Sequence, residues 1–395
     1  MAMTKNKKSC CIHFAKWFRS HWVNITHVVG ITLFAMLLAW IILNNLTAMS
    51  VFSFIEDSSD IEMFDIYQSM EESKAIHQLS NDITIVSIDD SSREEVIDVI
   101  NIISEYEPAA IGLDIFFQVP EADNSLLLSA LTDNPNIVCA SKFERDETGD
   151  TFHHIQQSFF EDEIDVTYGY VNLNASSCRD VIRDFVPFVI TNNGDTLLSL
   201  PAQLAKLCAP NKYRKLLRRG NDVETITFEN IEYPIIPIQD VLSGGASESQ
   251  LKNKIVLIGD LHDQNDFHLS PLHEPIPGIM LHAYALQTIL SGNYIDSTPQ
   301  WLNWLIAILL CVLFTIFNLL AKNQMSNIGG LFLRIVQFAM MYILLLIGAT
   351  YFAHHHSYLD FSPAILMIGF GAVAFDVWFG TYAAYNVIKN KIIKR

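Results

Sequence analysis

Four long apolar stretches frame a central region in which short apolar runs alternate with polar, mostly acidic segments. The stretches are Val28–Met49, Trp301–Leu320, Phe332–Phe352 and Phe361–Ala384. A membrane-crossing helix needs about 20 apolar residues, and all four qualify. A cleaved leader has a shorter apolar core and a small-residue cleavage site. The first stretch is longer and runs into Ser-Val-Phe-Ser-Phe at 50–54, so it reads as a retained anchor. Arg334 lies near the start of the third stretch, where its stem can carry the charge to the interface. Asp376 lies inside the fourth. An ionisable residue at that place is a functional candidate, or meets a wet crevice about two turns from the span's end.

Between the spans the period of the pattern changes. Residues 56–82 are acidic, with Phe64, Ile66, Tyr67, Met70 and Ile76 spaced for one helix face, which predicts a segment packed along the side of the central domain. Ile83–Ile88 is a predicted strand ending at Asp89-Asp90-Ser91-Ser92. Ser91 or Ser92 can cap the next helix, which carries Val96, Ile97, Ile100 and Ile103 and ends before Pro108. Ala109–Leu113 is a second buried strand, closed by Asp114, and together these make one βαβ unit with parallel strands. A helix from Asp123-Asn124 to Leu131 and a strand over 136–141 follow. Residues 142–167 are acidic and read as an exposed, irregular excursion. Further on come a short strand at Gly169–Asn172, an apolar run from Phe185 to Ile190, and a helix over Ser199–Leu207. The basic run Lys212–Arg219 reads as a solvated helix face, and 225–233 as a hairpin around Glu229-Asn230.

The segment Lys254–Ala283 organises the rest. Ile255-Val256-Leu257-Ile258 is a continuous apolar run closed by Gly259-Asp260, the pattern of a buried parallel strand. An acidic loop follows, with Asp260, His262, Asp263, Asp266 and His268. After Pro277-Gly278 a helix is predicted over Ile279–Leu290. In open α/β sheets, ligands bind outside the carboxyl ends of the strands. The expected fold is α/β: a mainly parallel sheet with flanking helices, one transmembrane helix before it and three after.

Charge adds orientation. Residues 50–300 hold 14 Lys/Arg against 41 Asp/Glu, a balance of −27; the remainder hold 11 against 2, or +9. An acidic block of this kind is not a nucleic-acid binder by its field. The basic arm at 1–27, Lys322 after the second span and the tail at 385–395 fall on one side if there are four spans. By the positive-inside rule, both termini are expected in the cytoplasm and residues 50–300 outside it, on the plasma (inner) membrane. His354-His355-His356 then turns at the outer interface, a polar turn rather than a metal site. Only Cys139, Cys178 and Cys208 face an oxidising compartment. Cys178 and Cys208 are available to pair, but an odd set of three is no disulfide framework.

The candidate ligand residues are Asp89, Asp90, Asp114, Arg183, Asp260, Asp266, His268 and His282. Carboxylates gathered at one sheet edge repel unless a cation or cationic ligand neutralises them, so a divalent cation held by Asp89, Asp114, Asp266 and His268 is one expectation. The plain alternatives are that the aspartates cap helices, that His282 is a satisfied core histidine, and that Arg183 pairs with an aspartate. No phosphate loop, nucleophile elbow or zinc motif is present, so an enzyme is not expected. A metal-dependent hydrolase is the remote alternative.

The central block resembles the type-two CHASE domain, an extracellular sensory module associated with bacterial cyclases and kinases. IVSIDDSS (85–92), AAIGLDIFF (109–117), GYVN (169–172) and Arg183 carry the resemblance, with LKNKIVLIGD (251–260), Asp266 and His268, Ser270-Pro271 and PGIMLHA (277–283). The resemblance implies reception of a small molecule or ion outside the cytoplasm, and signalling to an enzymatic output inside it. This sequence ends at Lys394-Arg395, so the expectation is output through a separate partner in trans, with a homodimer compatible. It also holds no acid over Leu173–Cys178, where the family tends to place one ahead of the Arg that matches Arg183. The second reading is a non-liganded assembly subunit of a cell-envelope complex.

Overall fold

A computed structural model of the chain describes residues 24–43, 63–72, 78–122, 124–145, 152–156, 158–161, 163–173, 181–191, 194–272, 275–324 and 329–393. Cys10, Cys11 and Cys178, most of the basic arm and the last two residues lie outside these ranges. The chain divides into two compact units. One is Gln68–Asp296; the other is made of the chain up to Tyr67 and from Ser297 onward.

The first unit is built on seven strands: β1 (Ile83–Ser87), β2 (Ala110–Leu113), β3 (Ile137–Arg145), β4 (Phe152–Ile155), β5 (Thr167–Tyr170), β6 (Ile235–Pro237) and β7 (Ile255–Gly259). The parallel order is β6-β1-β7-β2-β3-β5. β4 joins antiparallel to the far end of β3. All five residues of β1 and of β7 are buried, because both faces are covered. One face receives α1 (Arg93–Glu105) and α2 (Asn124–Thr132), packed on Val86, Ile111, Leu113, Val256 and Ile258. The other receives α3 (Leu200–Cys208) and α5 (Gly278–Ser291), packed on Ile83, Ile85, Ala110, Ile255 and Leu257. The short basic helix α4 (Pro210–Arg219) lies beside α5. Alternation of one strand's residues between the two cores is the period-two geometry of a strand.

Local chemistry sets the element ends. Ser92 caps α1 in a full capping box with Glu95, so the cap is a serine and not Asp89 or Asp90. α5 ends at Gly292, whose φ of 71° is the left-handed conformation that glycine adopts freely.

Three sequence expectations are corrected here. Residues 225–233 do not form a hairpin: Glu224–Thr225 pairs with Asp184–Phe185, and Ile231–Glu232 pairs with Gln78–Leu79. The intervening Thr227 and Phe228 are buried instead of turning outward. The region 142–167 is not an irregular excursion. β3 continues to Arg145 and returns as β4, and Phe160 is fully buried against Phe117 and Phe159. The helix in the 56–82 region, Met63–Glu72, packs on the domain as expected through buried Gln68, which donates to the Phe228 carbonyl, but its first turns do not. Its Phe64 and Tyr67 stack on Phe352 and Tyr358 within the other unit.

Among its described residues, that other unit holds four helices long and apolar enough to cross a membrane: Asn24–Leu43, Gln300–Ala321, Leu331–His355 and Ser362–Asn390. Ile31, Ala35, Ala307, Cys311, Phe314, Leu344, Met367 and Ile368 form their common core. Small residues at such contacts let the backbones approach. Gln337 donates to the Ile368 and Gly369 carbonyls, Trp378 donates to His27 Nδ1 at 2.9 Å, and Arg334 pairs with Asp376 at 3.1 Å. Asp376 therefore has a cationic neighbour on the third span, a pairing that the sequence alone did not announce.

Candidate functional site

The register of the central strands places their carboxyl ends level. Ser87 lies opposite Gly259, and the Asp114 amide donates to the Ile258 carbonyl. Because β7 is inserted between β1 and β2, its loop rises between Asp89 and Asp114. Asp260 accepts a hydrogen bond from the His262 amide at 2.7 Å, which folds the loop back on itself. His262 Nδ1 then reaches Asp89 at 2.7 Å, and Ser87 Oγ donates to the same carboxylate at 2.5 Å. These bonds, the Ser87 bond first, hold the Asp89 carboxyl below its ordinary pKa. The Asp89 bond raises the His262 pKa, and the charge of exposed Asp90 adds to it. Among the described residues, Asp89, Asp260 and His262 are the group whose ligand atoms all lie within 4.8 Å of one another.

A second group sits deeper. Asp114 closes β2, and His282 projects from the first turns of α5. Asp114 Oδ2 and His282 Nε2 are 4.0 Å apart, with side chains 14% and 6% exposed. Burial, with Asp266 as a negative neighbour, pushes the Asp114 carboxyl up to about 7, while Lys142 acts in the opposite sense. Burial pushes His282 down to about 4, partly offset by Asp266. The pair is therefore a protonatable acid facing a neutral imidazole.

Asp266 links the loop to the helix. The loop continues into β8 (Phe267–Leu269), which pairs antiparallel with β9 (Pro275–Pro277). Asp266 Oδ2 accepts the Gly278 amide at 3.1 Å at the start of α5, and His268 Nε2 lies 3.4 Å from Asp266 Oδ1. A carboxylate at a helix N-terminus is favoured by the helix dipole. A Cβ at Gly278 would stand 2.5 Å from the Asp266 carboxylate, so a side chain there would push that carboxylate away. Arg183 is buried on a segment docked to β8, where Val181 bridges to Leu269 and the Ile182 amide donates to the Leu269 carbonyl at 2.8 Å.

The opposite end of α5 is also held. Lys212 Nζ donates to the Ser291 carbonyl at 3.2 Å and Lys215 Nζ to the Gly292 carbonyl at 2.8 Å. Arg219 bonds Glu224 at 2.7 Å and Asp296 at 2.6 Å, and lies over the Tyr294 ring. The basic run is thus no merely solvated face: it braces α5 and the chain leaving it.

The structure divides the sequence candidates. Asp89 and Asp260 join His262 near the surface; Asp114, Asp266, His268 and His282 interact below. The proposed set Asp89, Asp114, Asp266 and His268 is split between the two. Sequence reasoning passed over His262 as a contact of Asp89, and Lys142 as the cation bearing on Asp114. Both follow predicted strand ends, the one signal that could have found them.

Comparison with curated proteins and with solved structures returned no match. The CHASE2 domain matches residues 32–317, which takes in the whole α/β unit and reaches into the first and second spans. CHASE2 domains are extracellular sensory domains, and the chain belongs to that family.

Proposed function

We propose that the chain is a membrane-anchored receptor whose α/β domain lies outside the cytoplasm. It receives a small polar solute or cation at the carboxyl ends of β1, β7 and β2, and signals through a separate partner. In this reading it has no catalytic role, both termini are cytoplasmic, and the acidic groups are what the ligand neutralises. The family supports the sensory role, and the basic flanks support the orientation.

The observation that carries the reading is the path from the strand ends to the second span. Asp266 belongs to the ligand loop and caps α5. α5 ends at Gly292, and the chain passes through Pro299 into the span that starts at Gln300. A ligand that engages Asp266 competes with the Gly278 amide for the same carboxylate. Binding therefore favours one position of α5 over another, and a ligand shifts a two-state element only by such a differential contact. The span that follows α5 carries the shift to the partner.

Native mass spectrometry of the full chain released from lipid nanodiscs tests the reading, as purified and with Ca²⁺, Mg²⁺ or Zn²⁺ added. Extra mass that is lost in Asp89→Asn or Asp266→Asn supports a ligand at the strand ends. A bare mass in every condition, with stoichiometric co-purification of another envelope protein, supports the non-liganded assembly subunit instead.

A further inference from the structure

The basic helix α4 has two sides, and the domain uses one of them. Leu216 is buried, Tyr213 packs on the core, and Lys212, Lys215 and Arg219 reach the end of α5 and Asp296. At about 100° per residue, Arg214, Leu217 and Arg218 fall on the opposite side. All three are exposed, Leu217 by 44%. Among the described residues, neither arginine has an ion pair or a hydrogen-bond partner. They stand one turn apart as like charges, a pairing that weakens a helix unless an anion lies against it.

The surroundings are as one-sided. Lys206 to Arg219 holds 6 of the 14 Lys/Arg in residues 50–300, and no Asp or Glu occurs over 196–221. The other 8 stand among all 41 Asp/Glu of that block. This cationic patch lies where the chain leaves the domain for the membrane. Arg219 bonds Asp296 at 2.6 Å, and Asp296 stands four residues before the span that begins at Gln300, at most about 14 Å of chain. Trp301, 67% exposed in the first turn of that span, is a residue type of the headgroup layer. The layer adds about 5–8 Å outside the hydrocarbon core, and the long stem of an arginine extends its reach toward it. Guanidinium groups bind phosphate through two parallel hydrogen bonds. An apolar residue between two cations is the composition of a helix side that rests in a membrane interface.

We propose that the outer side of α4 is a docking surface for anionic lipid: Arg214 and Arg218 take headgroup phosphates and Leu217 enters the headgroup layer. The docking does not depend on what the strand ends bind. Lys212 and Lys215 hold the carboxyl end of α5 from the other side of the same helix, so docking fixes that end of α5 against the membrane.

The test uses the full chain in nanodiscs of phosphatidylcholine alone and of phosphatidylcholine with phosphatidylglycerol in equal parts. One arginine near an anionic leaflet adds about fivefold to a surface equilibrium. Amide exchange over 213–219 should therefore slow at least fivefold in the anionic discs, while Arg93–Glu105 exchanges alike in both. The gain should vanish at high salt and in Arg214→Gln with Arg218→Gln, which keeps good helix formers in place. Leu217→p-benzoylphenylalanine should photocrosslink to phosphatidylglycerol at least fivefold more than the same side chain in place of Val119, which is 64% exposed. Equal exchange in the two lipids overturns the proposal. So does a gain that survives loss of both arginines, or crosslinking only to protein, since an acidic face of a second copy or of a partner would then be the occupant.

Discussion

Asp114 and His282 hold opposite proton balances, and Asp114→Asn should expose that. In the folded chain Asp114 keeps its proton up to about pH 7, where an unfolded carboxyl has lost it near 3.8. Between those values the native state binds one proton more than the unfolded one. Stability therefore falls by about 1.4 kcal/mol per pH unit as pH rises, roughly 4 kcal/mol across the window. His282 does the reverse. Its folded pKa of about 4 lies below the ordinary 6.5, so the unfolded state binds the extra proton and stability rises with pH from about 4 to 6.5. The two slopes nearly cancel in the wild type. Asn removes the falling one. Relative to wild type, Asp114→Asn should gain about 1.4 kcal/mol per unit, or about 2.7 kcal/mol between pH 5 and pH 7. Amide hydrogen exchange of the full chain reads this directly. Once corrected for intrinsic exchange, protection of Ala110–Leu113 and Ile255–Gly259 should improve about a hundredfold in the variant relative to wild type over that interval. His282→Gln should show the opposite trend. Protection that changes in parallel in variant and wild type refutes the assignment, since Asp114 would then not be holding a proton.

Three further outcomes follow from the packing. Gly259→Ala places a Cβ 2.8 Å from Ile279 Cδ1 and 3.2 Å from Asp114 Cβ. It should cost about 1–3 kcal/mol, seen as an earlier thermal transition by far-UV CD, and an unchanged transition would mean that α5 yields there. Thr288→Val removes the acceptor of the buried Thr227 amide, 2.9 Å away, and should cost about 1–3 kcal/mol in chemical denaturation. A Val variant as stable as wild type would contradict the buried bond. Arg219→Ala frees Glu224, Asp296 and the Tyr294 ring together, and should speed hydrogen exchange at 292–296 by tenfold or more while β1 and β7 stay protected. Equal loss of protection in both places would make Arg219 a part of the global core.

The sequence made the sheet legible because buried parallel strands are written as continuous apolar runs. Ile83–Ile88, Ala109–Leu113 and Ile255–Ile258 all became central strands. Short pairings were not legible. Thr225 and Ile231 pair with Asp184 and Gln78, far away in the chain, and no local turn signal records a distant partner. The irregular appearance of 142–167 came from acids between and after the strands, at 146–150 and 161–165, which hid a strand that continues past its buried part. At the site, residue types at strand ends were legible but depth was not. Asp89, Asp260 and Asp114 look alike in sequence. Yet Asp89 is exposed and held ionised by Ser87 and His262, while Asp114 is buried and raised. The basic helix α4 illustrates the same point: its lysines resemble a solvated face until the carbonyls of Ser291 and Gly292 are placed opposite them.

The strand order explains why these groups meet at all. β7 comes late in the chain but lies between β1 and β2, the first two strands. The loop leaving it is therefore flanked on both sides by aspartates fixed earlier in the chain. That loop cannot wander, because Gly259 brings its start against Asp114 and Asp266 ties its end to α5. α5 is buried along most of its length, with a carboxylate at its amino end and two lysines at its carboxyl end, each matching the helix dipole. A rigid rod pinned by one carboxylate at its amino end and two lysines at its carboxyl end responds to loss of the carboxylate by moving as a whole, since its tightly packed flanks resist bending. Of the two pins, Asp266 is the one on the acidic loop, which the proposed function makes the place where a cation or polar solute competes for it. The lysine pin faces the chain that runs on to the second span. The same helix therefore joins the part of the domain most open to ligand chemistry to the part committed to the membrane, and Asp266 is where a bound charge would act first.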